Sequence, residues 1–286
     1  MHRAILTGLL LAGACGGSDA PTDRPMTFGG DRPVQLQVPS DFSEDREYPI
    51  IMILHGYGVS GFIQQTFLGL GDLANTHDAL VLAPDGTNDP TGKPFWKAGD
   101  AWCEGAGCPD DVGYLGGVLD DVIATWPVDT THVTLLGHSN GHFMSYRMSC
   151  DRADVVTAIV GLAGLGPVDP CTPAEPVHSL HMHGTADAVV PYTGGEVRGV
   201  PIPGAVASVA QMATRNGCTG APATAEPKDL DSQLPGNETV VNVTGGCPSD
   251  GASDLWTIEG AGHVPSLSPA FIPEVTAWID AHGRAR

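Results

Sequence analysis

Runs of apolar residues recur along the chain and predict buried strands. Residues 50–54 and 79–83 are apolar throughout and 133–136 are mainly so, which is typical of strands covered on both faces. Residues 34–38 instead alternate apolar and polar side chains and predict a half-exposed strand near a sheet edge. Residues 111–126 place apolar side chains at helical spacing and predict an amphipathic helix.

The rest of the chain continues this alternation of strands and helices. Irregular, Gly- and Pro-rich stretches are expected at residues 87–110 and 217–252. The other predicted elements are helices at 62–76 and 140–150, strands at 158–162 and 177–182, a helix at 206–216, a strand at 255–258 and a closing helix at 271–282. The pattern predicts a single α/β domain with a doubly wound, mostly parallel sheet and helices on both faces.

A candidate nucleophile lies between a predicted strand and a predicted helix. The sequence GHSNG at residues 137–141 matches G-x-S-x-G. Such a pattern arises easily by chance in a glycine-rich chain, but here the strand at 133–136 runs directly into it and a helix follows directly. This context predicts a nucleophile elbow, a strained turn that exposes the hydroxyl of Ser139 at the helix N-terminus.

A serine nucleophile needs a base and a carboxylate that orients the base. Asp187 and His263 each follow a late predicted strand, in the chain order Ser, Asp, His. Because ligands of open α/β sheets bind at the carboxyl ends of the strands, we expect the three side chains to meet there. Asp169 is a rival acid that precedes the strand of Asp187, and His282 is a rival base in the closing helix.

An oxyanion hole and an acyl pocket are expected beside the serine. The backbone N–H groups of Asn140 and Tyr57 are the predicted oxyanion donors, and the Tyr57 ring would lie beside the acyl group. His138 flanks the serine and is a candidate substrate contact. Trp96 and Trp102 are candidates for the pocket wall, although a surface loop pinned by a disulfide would equally account for their segment.

Composition and charge exclude several classes of protein. The 286 residues include 42% hydrophobic and 16% charged residues, so neither a disordered chain nor a coiled coil fits. The 33 acidic and 13 basic residues give a formal net charge of −20. Such a charge repels nucleic-acid phosphates and anionic lipid headgroups, so no nucleic-acid partner is expected.

The N-terminal segment resembles an export signal. A basic start, an apolar run and small residues before Cys15 predict a signal peptide over residues 1–15. The residues before Cys15 resemble a bacterial lipobox, with Leu one position further from the cysteine than is preferred, so both a lipid anchor on Cys15 and free secretion stay open. Residues 16–31 predict a flexible tether, and 32–286 the catalytic domain.

Six further cysteines agree with an oxidising compartment. An even number allows 15 pairings. Proximity along the sequence suggests three local bridges, Cys103–Cys108, Cys150–Cys171 and Cys218–Cys247. We therefore expect a protein that acts outside the cytoplasm, secreted or anchored in the envelope.

No metal or nucleotide cofactor is expected. His181-x-His183 is similar to half of a metallo-β-lactamase zinc motif, but the Asp-His pair that should follow is Thr185-Ala186. No CxxC pair occurs, and no P-loop or G-x-G-x-x-G follows a predicted strand. The carboxylates at 110 and 111 stand at a helix start, where a capping or first-turn role is expected.

Four blocks together resemble a known family. They are LHGYG at 54–58, DDVGYL at 110–115, GHSNGHFMSYRMSC at 137–150 and HGTADAVVPY at 183–192. These blocks resemble secreted polyhydroxybutyrate-depolymerase and feruloyl-esterase-like α/β hydrolases. The resemblance implies a metal-independent serine ester hydrolase that acts outside the cytoplasm.

Two departures from the family pattern affect the helix start after Ser139 and the expected polymer specificity, respectively. His142 stands where a second Gly is usual, and Val-Pro-Ser follows His263 where Trp-Pro-Gly is common among depolymerase-like members. The main expectation is a monomeric carboxylic-ester hydrolase for polyesters or short-chain esters. The alternative is a feruloyl or acetylxylan esterase. A serine peptidase and a non-catalytic binding protein remain further alternatives.

Overall fold

The computed structural model describes residues 23–105, 107–166 and 172–285. The strands of these residues are β1 Thr27–Phe28, β2 Val34–Gln37, β3 Tyr48–Leu54, β4 Leu80–Leu82, β5 Thr87–Asn88, β6 Pro94–Phe95, β7 Val128–His138, β8 Ala158–Leu162, β9 His178–Gly184, β10 Gly195–Val197, β11 Val200–Ile202, β12 Pro222–Thr224, β13 Thr239–Thr244 and β14 Ser253–Ile258. The helices are α1 Gly61–Phe67, α2 Leu73–Thr76, α3 Asp111–Thr125, α4 Asn140–Asp151, α5 Ala205–Arg215 and α6 Phe271–Asp280.

One large sheet carries the fold. Its strand order is β1-β2-β4-β3-β7-β8-β9-β14-β13-β12. The six strands from β4 to β14 in this order are mutually parallel, whereas β2 and β13 join their neighbours antiparallel. The expected mostly parallel, doubly wound sheet is therefore confirmed, with antiparallel strands at both edges.

Helices cover both faces of the sheet because the central strands are apolar on both faces. In β3, Ile50, Met52 and Leu54 pack into the cluster that holds the apolar faces of α3, α4 and α5. Ile51 and Ile53 face the other way, into the cluster that contains residues of α2 and α6. This two-sided burial is what the unbroken apolar run predicted.

The start of α3 shows the expected first-turn role of two neighbouring carboxylates. Asp110 caps the helix by accepting a hydrogen bond from the backbone N–H of Gly113 at 2.8 Å. Asp111, in the first turn, is buried and pairs with Arg32 at 2.6 Å. Its second oxygen accepts the backbone N–H of Lys97 at 2.7 Å, so this carboxylate ties the 87–110 segment to the helix.

The expected tether over residues 16–31 is wrong for its described part, residues 23–31. Residues Thr27 and Phe28 form a strand on β2, and Phe28 is buried. The indole N–H of Trp126 donates to the carbonyl of Pro25 at 3.0 Å. Met26 and Phe28 are too few apolar residues to give a periodic signal, so the packing of this segment against the domain could not be predicted from the sequence. The predicted signal segment and Cys15 lie outside the described residues.

Two further elements differ from expectation. The predicted helix at 62–76 is two helices, α1 and α2, interrupted where Gly69 adopts φ +72°. The stretch 217–252, expected to be irregular, contributes β12 at the edge of the sheet and β13 beside it. Residues 239–244 contain only three apolar side chains among polar ones, and so short and irregular a pattern gives little signal.

Two of the three predicted disulfides are present. They join Cys103 to Cys108 and Cys218 to Cys247. The predicted Cys150–Cys171 bridge involves residue 171, which lies outside the described residues, and stays a prediction. Among the described helices, none combines the length and apolar character that a membrane span requires.

Candidate active site

Ser139 stands on a sharp turn between β7 and α4. Its backbone has φ 53° and ψ −120°, a conformation that non-glycine residues rarely adopt, and its hydroxyl does not cap the helix. The flanking glycines make the turn possible. A Cβ on Gly141 would lie 2.1 Å from the carbonyl oxygen of Leu54, and one on Gly137 would lie 2.5 Å from Gly141.

The steric role of Gly141 gives a stability prediction. We expect Gly141→Ala to lower the free energy of unfolding by about 3 kcal/mol, because backbone atoms of β3 cannot yield to the added methyl group. Gly117→Ala is the matched control, since Gly117 is exposed in α3 and a methyl group there would meet no described atom within 4 Å. It is expected to keep or raise stability, by up to about 1 kcal/mol. Urea unfolding of both variants measures the difference, and equal stabilities would contradict the steric role.

The three side chains that the sequence singled out meet at one edge of the sheet. Asp187 follows β9 and His263 follows β14, and these strands are parallel neighbours whose carboxyl ends coincide. His263 Nε2 lies 2.9 Å from Ser139 Oγ, and His263 Nδ1 lies 2.7 Å from Asp187 Oδ2. The arrangement can withdraw a proton from the serine hydroxyl and hold the resulting imidazolium.

The rival base His282 does not join this cluster. The ring of His282 stacks on the indole of Trp278 with centroids 4.1 Å apart, and its Nδ1 lies 2.7 Å from the Trp278 carbonyl oxygen. His282 is thus held at the end of the closing helix by the helix itself. Asp169 lies outside the described residues.

Four hydrogen-bond donors surround the Asp187 carboxylate. Oδ1 accepts the backbone N–H groups of Val189 at 2.8 Å and Val190 at 2.9 Å. Oδ2 faces His263 and, at 3.3 Å, Nε2 of His183. Burial alone would raise the pKa of the Asp187 carboxyl, but the hydrogen bonds from His183, His263 and Val190 outweigh it and hold that pKa well below its usual range. Asp187 is therefore ionised and can balance a charge on His263.

The two predicted oxyanion donors lie beside Ser139. Asn140 begins α4, where backbone N–H groups have no partner within the helix. Its side chain is clamped to the backbone of Trp96, with Oδ1 accepting at 2.7 Å and Nδ2 donating at 3.0 Å. Tyr57 follows Gly56, whose N–H is held by Gln64 Oε1 at 3.0 Å. The carbonyl-binding role of the Tyr57 and Asn140 amides stays a prediction.

His138 holds the backbone of His263 through a hydrogen bond. Its Nε2 lies 3.0 Å from the carbonyl oxygen of His263, which fixes the backbone that carries the candidate base. Burial lowers the pKa of His138 to about 4, so the ring is neutral at pH 7 and Nε2 carries the hydrogen that this carbonyl accepts. His138 also lines the cavity at Ser139.

A cavity of about 320 Å³ opens at Ser139 and is mostly apolar. It is lined by Gly56, Tyr57, Val59, Ile63, Gln64, Phe67, His138, Ser139, His263 and Val264. Two of the apolar side chains that line it, Ile63 and Val264, are exposed to solvent. The cavity suits an uncharged acyl or alcohol group of modest size.

The two tryptophans behave differently from expectation. Trp96 is fully buried, and its indole N–H donates to the carbonyl of His55 at 3.1 Å, so the expectation that it lines the acyl pocket is wrong. Trp102 does not line the 320 Å³ cavity either, but its ring lies 6.1 Å from that of Tyr57, which does. A pattern that locates tryptophans in a loop cannot say which of them faces the core.

His142 lies on the buried side of α4, away from the cavity. Its ring occupies space that a Cβ on Gly161 would fill, at 1.8 Å, and its Cβ lies 2.6 Å from where one on Gly164 would be. His142 therefore fits near the start of α4 because Gly161 in β8 and Gly164 after it leave room for its side chain. Its Nδ1 accepts the N–H of Gly164 at 3.2 Å.

The three histidines of β9 are buried and engaged with protein groups. His178 Nδ1 accepts the backbone N–H of Ala252 at 3.1 Å. His181 and His183 bond to each other through Nε2 and Nδ1 at 3.1 Å. Within residues 23–105, 107–166 and 172–285, no group of three or more His, Cys, Asp or Glu side chains is arranged to hold a metal ion.

Two residues of the site have no signal in the sequence that marks them as functional. Gln64 lines the cavity and positions the Gly56 amide, and His183 touches the Asp187 carboxylate. Gln64 lies in the short helix α1, where no motif marks it. His183 is four residues before Asp187, a spacing that could have pointed to it, but its pattern with His181 suggests a metal motif instead.

Comparison with known proteins agrees with this geometry. No family model matches the sequence. The chain is 30% identical over 170 residues to the probable feruloyl esterase C of Aspergillus niger, a match that covers 57% of this chain and 58% of that protein. It is 26% identical over 250 residues to feruloyl esterase D of Neurospora crassa, covering 83% and 76%. The chain thus matches less than two thirds of the length of the first of these relatives.

Solved structures share the fold. An acetyl xylan esterase from Aspergillus awamori superposes with a TM-score of 0.60 at 13% identity, covering 89% of this chain and 98% of that one. A carboxylesterase from Mesorhizobium loti gives 0.55 at 15% identity, covering 90% and 98%. The sheet and the turn at Ser139 therefore have the α/β-hydrolase fold. In sequence, the chain is similar to feruloyl esterases of this fold.

Proposed function

We propose that this protein is a serine carboxylic-ester hydrolase that works through an acyl-enzyme. The observation that carries the proposal is the continuous contact from Ser139 Oγ through His263 to the buried carboxylate of Asp187, at 2.9 and 2.7 Å. The names of the relatives support an ester as substrate.

The reaction has two halves. His263 Nε2 takes the proton of Ser139 as Oγ attacks the ester carbonyl, and the Tyr57 and Asn140 amides hold the negative oxygen. The imidazolium then gives its proton to the leaving alcohol, and the acyl group stays on Ser139. Water enters, His263 takes a proton from it, and the acid product and free serine are released. Asp187 remains ionised and keeps Nδ1 of His263 protonated throughout.

For the substrate, we propose a short-chain or hydroxyacid polyester, as in polyhydroxybutyrate-depolymerase-like enzymes. The open, mostly apolar cavity and the exposed Ile63 and Val264 that line it support this substrate class. The alternative is a feruloyl or acetylxylan esterase, which the names of the relatives favour. The two disulfides support a location outside the cytoplasm.

A hydrolysis panel distinguishes these substrates. We expect 4-nitrophenyl butyrate and a 3-hydroxybutyrate trimer to be hydrolysed with higher kcat/KM than methyl ferulate or acetylated xylan. Faster release of ferulate would establish the alternative substrate. Cleavage of a butyryl anilide as fast as the butyryl ester would favour a peptidase, and hydrolysis of none of the compounds would contradict an esterase.

A further inference from the structure

Two cations near the cavity, Lys93 and Arg198, have no carboxylate partner among the described residues. In this acidic protein, most described basic side chains lie within 4 Å of a carboxylate, namely Arg24, Arg32, Arg46, Lys97, Arg147, Arg152 and Lys228. Across the described ranges, no carboxylate lies that close to the charged group of Lys93 or Arg198. Arg284 also has no carboxylate that close, but its guanidinium donates to the backbone carbonyls of Ala153 and Val156.

Both cations lie over the ring of a residue that lines the cavity. The Arg198 guanidinium carbon is 5.1 Å from the centroid of the Tyr57 ring and 5.3 Å from that of Trp102. The Lys93 ammonium is 5.5 Å from the Tyr57 ring. Such contacts hold a cation in place and leave its hydrogen-bond donors available.

Arg198 occupies a strained backbone position. It and Gly199 form the two-residue turn between β10 and β11, with φ values of 55° and 82°. A turn of this kind favours Asn or Asp at the first position, because these residues tolerate a positive φ better than other residues with a side chain. Strain at the edge of a binding site points to a function of the side chain.

An acidic residue, Asp89, lies on the other side of the Tyr57 hydroxyl. Asp89 accepts the Tyr57 hydroxyl at 2.6 Å, the hydroxyl and backbone N–H of Thr91, both at 2.7 Å, and the backbone N–H of Lys93 at 3.1 Å. The hydrogen bond from Tyr57, followed by that from Thr91, holds the pKa of Asp89 below its usual range. Asp89 is therefore ionised, but its oxygens lie more than 4 Å from the charged groups of Lys93 and Arg198.

We propose that Lys93 and Arg198 form a cationic subsite, beside the cavity at Ser139, that binds a carboxylate carried by the ester substrate. The proposal rests on the proposed esterase function. The expected substrate is a hydroxyacid oligomer with a free carboxyl end, or another ester with an anionic group. The guanidinium of Arg198 can hold a carboxylate through two N–H groups.

The test compares two esters that differ in one charge, mono-4-nitrophenyl adipate and its methyl ester. The measured quantity is the ratio of kcat/KM for the anionic ester to that for the neutral one, after subtraction of spontaneous hydrolysis. We expect Arg198→Asn, which suits the turn, and Lys93→Gln each to lower this ratio about threefold, as is typical of exposed charge pairs. Rising salt should lower the wild-type ratio as well.

Lys97→Gln is the matched control, because Lys97 pairs with Asp100 and its replacement removes the same charge elsewhere. It should leave the ratio unchanged. The subsite would be overturned if neither variant nor salt changed the ratio of kcat/KM, or if Lys97→Gln lowered the ratio equally. The proposed esterase function would be unaffected by either result. Failure of the wild type to hydrolyse either ester would instead refute the esterase function.

A second, independent observation concerns a buried chain of hydrogen bonds that ends on Asp187. The Tyr146 hydroxyl lies 2.8 Å from His181 Nδ1, and His181 Nε2 lies 3.1 Å from His183 Nδ1. His183 Nε2 lies 2.8 Å from the carbonyl oxygen of Val190 and 3.3 Å from Asp187 Oδ2. Both histidine side chains are fully buried.

The Val190 carbonyl sets one end of this chain. A carbonyl oxygen only accepts, so Nε2 of His183 carries a hydrogen. In the tautomer of His183 that has its one hydrogen there, Nδ1 accepts, and His181 donates to it from Nε2. Burial lowers the pKa of His181 well below its usual value, so its Nδ1 is bare and accepts from the Tyr146 hydroxyl. Donors aligned in this way strengthen one another.

We infer that His183 is a positioning residue for Asp187, and that His181 and Tyr146 fix the His183 tautomer. His183 binds the carboxylate and the Val190 carbonyl at once. It therefore holds the turn whose Val189 and Val190 amides bind the other carboxylate oxygen. The chain orients Asp187 toward His263 and contacts no substrate.

A pair of variants separates positioning from mere packing. Gln in place of His183 keeps an N–H donor near Nε2, whereas Leu removes it. We expect His183→Leu to lower kcat about a hundredfold with little change in KM, and His183→Gln to recover most of that loss. Titration of the reactive serine by the nitrophenol burst corrects each rate for the folded fraction.

The tautomers themselves are measured on the wild type by ring-¹⁵N NMR. Both His181 and His183 should show a protonated Nε2 and a bare Nδ1. A protonated Nδ1 on either ring would contradict the proposed direction of these hydrogen bonds, and this result does not depend on whether His183→Leu folds. Equal kcat values for the Leu and Gln variants would also overturn it.

Discussion

Ser139→Ala is expected to lower kcat for 4-nitrophenyl butyrate by about a millionfold, because the acyl-enzyme cannot form without the hydroxyl. The remaining rate would come from the oxyanion donors and from binding alone. KM for residual turnover should stay close to the wild-type value, since the cavity wall is otherwise unchanged. Steady-state assays at high enzyme concentration measure both constants.

Ser145→Ala is the control for this variant. Ser145 is a buried serine within α4, and its hydroxyl donates to the Gly141 carbonyl one turn earlier, at 3.1 Å. Its loss should leave the fold and most of the activity in place. If Ser139→Ala kept more than about a hundredth of the wild-type kcat, the nucleophile would have to lie elsewhere.

Asp187→Asn is expected to lower kcat by about ten thousandfold with the fold preserved. An amide nitrogen facing His263 favours the tautomer with hydrogen on Nε2, which cannot accept the serine proton. The amide also cannot balance the charge of the imidazolium. Because Asp187 has a depressed pKa and is fully ionised at neutral pH, the whole effect should be present at pH 7.

The matched control is Asp121→Asn on the exposed face of α3, which removes one negative charge far from the cavity. Its kcat should equal that of the wild type. A loss of less than tenfold in Asp187→Asn would show that the carboxylate is not needed to orient His263, and the role of the acid would then fall to another residue.

The fold and the three meeting side chains could be predicted because their signals are local. Buried strands such as residues 50–54 and 133–136 appear as apolar runs, and a G-x-S-x-G turn is meaningful when a strand precedes it and a helix follows. Asp187 and His263 each follow a strand, and parallel neighbours bring such residues to one edge.

Other features depend on tertiary packing and leave no periodic signal. Trp96 lies in an aromatic loop segment that suggested a pocket wall, but its side chain is buried against His55. Phe28 is buried and holds in place a segment whose sequence predicts a flexible tether. The contact of Arg198 with Tyr57 depends on the path of a short hairpin within the chain, which no spacing rule fixes. Likewise, the link from His181 to Asp187 depends on the side-chain conformations inside β9 and the turn that follows.

The measurement that tests the central claim most directly is labelling with a fluorophosphonate, followed by mass analysis of the peptides. Such a probe reacts with a serine only when a neighbouring base activates it. The account predicts one adduct on the peptide that holds residue 139 in the wild type, and none in Ser139→Ala or His263→Ala. No adduct on the folded wild type, or an adduct on another serine, would contradict it.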